Sequence, residues 1–90
     1  LPARGRELLA MGCDYLCVHS SFDARAASPL HSLELLRAEL PDAPLAVAGG
    51  VGPHNLHAIL PLAPAIVIVG GTITSAADPA AAARQIREML

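Results

Sequence analysis

Two glycine pairs stand directly after two apolar runs of this sequence, and they have the clearest potential for chemistry. Gly49-Gly50 follows the run LAVA, and Gly70-Gly71 follows the run AIVIV. A glycine has no Cβ, so a ligand can approach its backbone N–H closely, and it adopts backbone angles that other residues avoid. Several such N–H groups together can bind a phosphate. The two pairs therefore predict a phosphate site, with the hydroxyl of Thr72 as a further donor.

His19 is the second candidate, because it ends another apolar run, YLCVH. An ordinary histidine titrates near neutrality, so this side chain could move a proton or bind a substrate hydroxyl. The alternative is a histidine that only packs and hydrogen-bonds. Its position at the end of a strand favours the functional interpretation. The other histidines, His31, His54 and His57, fall on predicted helices, and we interpret them as surface residues.

Helices and strands alternate along the chain and must position these residues. Apolar runs that end in polar residues or glycines predict strands at 14–20, 45–50 and 65–71. Leucine spacing and proline or glycine boundaries predict helices at 4–11, 30–40, 53–60 and 79–90, the last capped by Asp78. Such alternation with short loops implies parallel strands in one sheet.

Three parallel strands fit either part of an eight-stranded (β/α) barrel or part of an open doubly wound sheet. Each predicted strand ends in residues with potential for chemistry. Barrels build their active sites at that edge, often with phosphate bound at the loops after the last two strands. An open dinucleotide-binding sheet would show G-x-G-x-x-G after a strand, which this sequence lacks. We therefore predict an α/β fold that forms part of a (β/α)8 TIM barrel.

The composition excludes several classes of protein. The chain is 53% hydrophobic and 2% aromatic with a net charge of −2, whereas nucleic-acid binders need basic surfaces and stacking aromatics. No apolar run approaches the ~20 residues of a membrane span. The six residues counted as Lys or Arg are all arginines. If the reaction needs a lysine, that lysine must come from outside this sequence. Cys13 and Cys17 match no metal or disulfide pattern, and we expect reduced thiols in a cytoplasmic protein, with Cys17 buried in its strand.

Three segments of the sequence resemble a known family. GCDYLCVHSSFDARAASPL, LAVAGGV and IVIVGGTITSAADPAAAARQIREML closely resemble the C-terminal part of 3-hexulose-6-phosphate synthases. These enzymes belong to the orotidine 5′-phosphate decarboxylase superfamily of barrels. The resemblance runs along essentially the whole chain, and the combination of motifs is specific. It implies that residues 1–90 are the last three βα units of a single barrel domain, and we expect them to be a piece of a longer protein.

The resemblance implies an aldehyde-lyase that condenses formaldehyde with ribulose 5-phosphate through an enediolate held on Mg²⁺. It places Gly49, Gly50, Gly70 and Gly71 at the phosphate-binding positions of the family and His19 at its active-site histidine. The metal ligands and the catalytic lysine belong to an Asp-x-Lys-x-x-Asp motif on an earlier strand, which this sequence lacks. We therefore expect the 90 residues alone to be inactive, and the full-length protein to be a homodimer.

Two related families and one different class of protein are the alternatives. In 3-keto-L-gulonate-6-phosphate decarboxylases, arginines stand where this chain has Phe22 and Gly71, so the missing arginines argue against decarboxylation. Ribulose-phosphate 3-epimerases carry a catalytic aspartate where this chain has Ala48. A non-catalytic barrel fragment that binds a phosphosugar, or is purely structural, is the third alternative.

Overall fold

Three short aliphatic runs form a parallel sheet in the computed structural model, which describes residues 2–19 and 29–90. The strands are Leu16–His19 (β1), Leu45–Ala48 (β2) and Ile66–Val67 (β3), in the spatial order β1-β2-β3. His19 pairs with Ala48, and Val47 pairs with Val67. Because the strands are parallel, their carboxyl ends lie at one edge of the sheet, as the alternation of elements predicted.

Helices connect the strands. They are α1 (Pro2–Ala10), α2 (Leu30–Glu39), α3 (Pro53–Ile59), α4 (Gly71–Thr74) and α5 (Pro79–Met89), with a 3-10 turn at Leu60–Leu62. The predicted start of α5 is confirmed: Asp78 accepts a hydrogen bond from the backbone N–H of Ala81 at 3.1 Å, and Pro79 opens the helix. None of the helices in the described part of the chain is long and apolar enough to cross a membrane.

The core lies between the sheet and the helices. It consists of buried aliphatic side chains from β1, β2 and the helices: Leu16, Val18, Leu33, Leu36, Leu45, Val47, Leu56, Ile59 and Ile86. Burial of each such side chain stabilises the fold by about 1.5–3 kcal/mol relative to its exposure. This burial fixes which face of the sheet the helices cover, since side chains alternate between faces along a strand.

The opposite face of the sheet is only partly covered in the described residues. On β1 the alternation leaves Cys17 and His19 exposed. Ile66 of β3 and Ile68 just after it are 41% and 48% exposed. We call this side of the sheet the open face. The prediction that Cys17 is buried is therefore wrong, because its side chain points to the open face rather than to the helices. Cys13 is exposed as well.

The third strand is much shorter than the predicted run 65–71. Only Ile66 and Val67 form ladder pairs, although the N–H of Ile68 still donates to the carbonyl of Val47 at 2.9 Å. The end of the predicted strand is lost because Gly71 already belongs to α4. The glycine pair therefore lies at the start of a short helix instead of inside a strand.

Arg37, near the end of α2, forms hydrogen bonds to backbone carbonyls of the segments that precede β2 and β3. Its Nη1 donates to the carbonyls of Pro41 and Ala43, both at 2.9 Å. Its Nε donates to the carbonyl of Leu62 at 2.8 Å, and Nη2 donates to that of Ala63 at 3.1 Å. A planar guanidinium with donors in fixed directions suits such a cluster of carbonyls, and a lysine does not.

Replacing Arg37 by methionine is expected to lower the free energy of unfolding by about 2–3 kcal/mol, because several backbone carbonyls lose charge-assisted hydrogen bonds. Urea unfolding measures the loss. Arg84→Met on the exposed side of α5 is the control and should change stability by less than about 0.5 kcal/mol. A loss for Arg37→Met no larger than that of the control would contradict the role of Arg37.

Candidate functional site

The first part of the candidate site is the β2 turn, which we define as residues 49–52. Gly49 and Gly50 have φ angles of 87° and 72°, in the left-handed region that favours glycine. Gly50 is exposed, and a Cβ added there would meet no atom of the described residues within 4 Å. Its backbone is therefore open to a ligand, and its conformation itself favours glycine.

The second part is the β3 turn, which we define as residues 70–72. Gly70 has a φ of −117° and Gly71 is the first residue of α4. Both are exposed, and an added Cβ would meet no described atom within 4 Å at either position. The backbone angle of Gly70 does not require glycine, so what the pair provides is access to the backbone. The first N–H groups of a helix have no partner within the helix and are free to bind an acceptor.

Asn55 holds the β2 turn in shape. It lies on α3 and is 8% exposed. Its Oδ1 accepts from the backbone N–H of Gly52 at 3.0 Å, and its Nδ2 donates to the carbonyl of Gly50 at 2.9 Å. We did not predict this role from the sequence. The available signal was a polar amide three residues after the glycine that precedes the helix, which is the spacing of a helix-capping residue.

Thr72 joins the two turns. Its hydroxyl donates to the carbonyl of Val51 at 2.8 Å, across 21 residues of sequence. A hydroxyl has a single proton, so the donor capacity that we predicted for a phosphate is used within the protein here. A Cβ added at Gly52 would lie 3.1 Å from both the methyl group and the hydroxyl of Thr72. The absence of a side chain at Gly52 therefore allows the two turns to approach closely.

His19 lies at the same edge of the sheet as the two turns. It is the last residue of β1, is exposed, and pairs with Ala48, the residue that precedes Gly49. Its side chain belongs to the open face. The structure therefore brings the predicted histidine and the predicted glycines to one edge. Phe22, on which one alternative function depends, lies outside the described residues.

The remaining candidate groups are dispersed. His31, His54 and His57 are exposed on α2 and α3, which agrees with their interpretation as surface residues. Within residues 2–19 and 29–90, no three His, Cys, Asp or Glu side chains are grouped so that they could hold a metal ion. The described residues do not fit a Mg²⁺ site.

Known proteins are similar to this chain in sequence and in fold along nearly its whole length. A 3-hexulose-6-phosphate synthase of Staphylococcus aureus (strain bovine RF122 / ET3-1) is 43% identical over 89 residues, which are 97% of this chain and 42% of that protein. The 3-hexulose-6-phosphate synthase of Staphylococcus haemolyticus (strain JCSC1435) is 41% identical over an alignment of 92 residues, gaps included. The alignment covers 100% of this chain and 44% of that protein. Along nearly its whole length, the chain is therefore similar to part of a 3-hexulose-6-phosphate synthase.

Solved structures of the 3-hexulose-6-phosphate synthase family agree in fold. The crystal structure from Salmonella typhimurium matches with a TM-score of 0.90 and 41% identity, over 99% of this chain and 43% of that chain. A second crystal structure of a 3-hexulose-6-phosphate synthase matches with a TM-score of 0.81 and 30% identity, over 99% of this chain and 44% of that chain. These matches confirm the predicted α/β fold with parallel strands as part of a TIM barrel.

The chain spans less than half the length of the 3-hexulose-6-phosphate synthases that it matches, 42% for the Staphylococcus aureus protein. No protein-family model matches it.

Proposed function

We propose that this chain is the phosphate-binding part of an aldehyde-lyase that condenses formaldehyde with ribulose 5-phosphate to give a 3-hexulose 6-phosphate. The observation that carries the proposal is the junction of the two glycine turns at one sheet edge, linked by the 2.8 Å hydrogen bond from Thr72 to Val51. Identity of 43% over 97% of the chain to a 3-hexulose-6-phosphate synthase supports the substrate class.

The phosphate group of the sugar binds to backbone N–H groups of the two turns. Gly50 offers an N–H on an exposed backbone, and Gly71 and Thr72 offer N–H groups at the start of α4. These donors are neutral, so the lack of lysine in this sequence is no obstacle.

His19 acts on the sugar end of the substrate. It lies on the open face at the sheet edge that carries the two turns, so a phosphosugar held by its phosphate would extend over that face. We propose that the imidazole of His19 binds a substrate hydroxyl or transfers a proton during the condensation. This role follows the resemblance to the family, and the exposure of His19 is compatible with it.

The reaction also needs groups that these residues do not provide. We propose that Mg²⁺ is the cofactor and that its ligands and the catalytic lysine belong to sequence outside these 90 residues, because the Asp-x-Lys-x-x-Asp motif of the synthases is absent from this sequence, which has no lysine. We further propose that the full-length enzyme is a cytoplasmic homodimer.

The natural protein that contains this sequence is expected to consume ribulose 5-phosphate only when formaldehyde is present. Chromatographic detection of the hexulose 6-phosphate product measures the reaction, and 3-keto-L-gulonate 6-phosphate is offered in a parallel assay. Release of carbon dioxide from that compound, without condensation, would favour the decarboxylase alternative. The isolated 90-residue chain is expected to be inactive in both assays, and measurable condensation by it would refute that expectation.

A further inference from the structure

Two side chains hold the β2 turn in place: Thr72 links it to the β3 turn, and Asn55 links it to α3. Thr72, on α4, donates a hydrogen bond from its hydroxyl to the carbonyl of Val51. Asn55, on α3, donates from Nδ2 to the carbonyl of Gly50 and accepts at Oδ1 from the N–H of Gly52, so it holds the peptide groups on both sides of Val51. The carbonyl that accepts from Thr72 is therefore fixed in direction by Asn55.

We call the hydrogen bonds of Thr72 and Asn55 to the β2 turn the network. The packing around the network leaves the backbone of the β2 turn little freedom to move. Val51 is 3% exposed and Asn55 is 8% exposed. Gly52 stands so close to Thr72 that an added Cβ would lie 3.1 Å from the Thr72 methyl group. Breaking the Thr72 hydrogen bond would leave the carbonyl of Val51 without this partner, which costs free energy in a partly buried place. The turns therefore have one favoured separation.

We propose that Thr72 and Asn55 are positioning residues that hold the two glycine turns at the separation required to bind one phosphate. This inference rests on the proposed phosphate site and assigns Thr72 a role other than direct donation from its hydroxyl. A site whose donors are held in place before binding loses less conformational entropy when the ligand arrives. The side chains of Thr72 and Asn55 lower the dissociation constant for phosphate through the backbone that they hold.

Binding of inorganic phosphate to the natural protein that contains this sequence, and to two variants of it, tests the role of Thr72. Thr72→Val has nearly the same shape without the hydroxyl, and we expect it to raise the dissociation constant for phosphate about three- to tenfold. Thr72→Ser keeps the hydroxyl and is expected to bind nearly as the wild type does. The KM for ribulose 5-phosphate should rise with the dissociation constant while kcat stays almost unchanged.

Asn55→Ala separates positioning from direct contact. Because Oδ1 and Nδ2 of Asn55 both bond to the backbone of the β2 turn, we expect its removal to lower phosphate affinity by changing that turn. The losses of Asn55→Ala and Thr72→Val should add to less than their sum in the double variant, since both act on one network. In the absence of ligand, Thr72→Val should also shift the amide resonances of Val51 and Gly52, which a role limited to ligand contact would leave unmoved.

The outcomes distinguish the two proposals. Wild-type protein that does not bind phosphate overturns the proposed site, and the positioning role with it. Wild-type protein that binds phosphate, together with a folded Thr72→Val variant of equal affinity, overturns the positioning role alone. If Thr72→Val does not fold, hydrogen exchange of the Gly52 amide in the wild type decides. Slow exchange supports its hydrogen bond to Asn55, and exchange at the rate of an unprotected amide overturns the network.

Discussion

Gly50→Val is expected to weaken binding of ribulose 5-phosphate by roughly 10- to 100-fold. The φ of Gly50 is 72°, and a β-branched residue in this region is a strained outlier, so the β2 turn would change its backbone. A left-handed conformation alone costs about 1–2 kcal/mol, and each 1.4 kcal/mol is tenfold in affinity. The new side chain would also fill the open space over the backbone at the proposed phosphate site. The measurement is the KM for ribulose 5-phosphate, with the dissociation constant for inorganic phosphate as a second readout.

Gly12→Val is a matched control for this substitution. Gly12 has a φ of 101°, is exposed, and an added Cβ there would meet no described atom within 4 Å. It lies before β1, at the amino end of the strand, whereas the β2 turn follows the carboxyl end of its strand. The control introduces similar backbone strain away from the proposed site, so it should lower stability without changing phosphate affinity. Equal losses of affinity in both variants would mean that strain, and not the proposed site, is the cause.

His19→Gln is expected to lower kcat by about 100-fold or more while the KM for ribulose 5-phosphate changes little. Proton transfer by a placed side chain contributes roughly 10²- to 10⁴-fold to a rate, and glutamine keeps polarity and size but does not titrate. In the proposed binding mode the two turns hold the phosphate, so the loss should fall on the chemical step. Steady-state formation of hexulose 6-phosphate at saturating ribulose 5-phosphate provides the measurement.

His31→Gln, on the exposed side of α2, is the control for His19→Gln and should keep the full kcat. A His19→Gln variant with the same kcat as this control would exclude proton transfer by His19. A variant with unchanged kcat and a raised KM would instead assign His19 to binding of the sugar. Together with Gly50→Val, these measurements separate anchoring of the phosphate from chemistry at the sugar.

Several parts of the fold could be predicted because their signals are local. Asp78 followed by Pro79 marks the start of α5, since the capping hydrogen bond and the fixed angle of proline act within one turn of chain. The alternation of apolar runs and helices predicted parallel strands, and with them the common edge of His19 and both glycine pairs. The roles of these residues toward a substrate stay predictions until the variants are measured.

Other features depend on contacts between distant segments, and the sequence alone did not reveal them. Burial on the helix side of the sheet decides which face of β1 is covered, so Cys17 is exposed although it lies in an apolar run. The pairing of β3 with β2 is limited to Ile66 and Val67, which the apolar run did not indicate. Sequence patterns report the periodicity of burial but not which side a neighbour occupies.

The amino-acid sequence by itself determined the type and order of the elements and placed two glycine pairs after strands, because propensity, capping and apolar periodicity act over a few residues. Only the tertiary structure decided that the Thr72 hydroxyl donates a hydrogen bond to the carbonyl of Val51, that Asn55 fixes the β2 turn, and that Arg37 binds a cluster of carbonyls. Side-chain hydrogen bonds are satisfied by whichever backbone groups packing brings within about 3 Å. For Thr72 that partner lies 21 residues away along the chain.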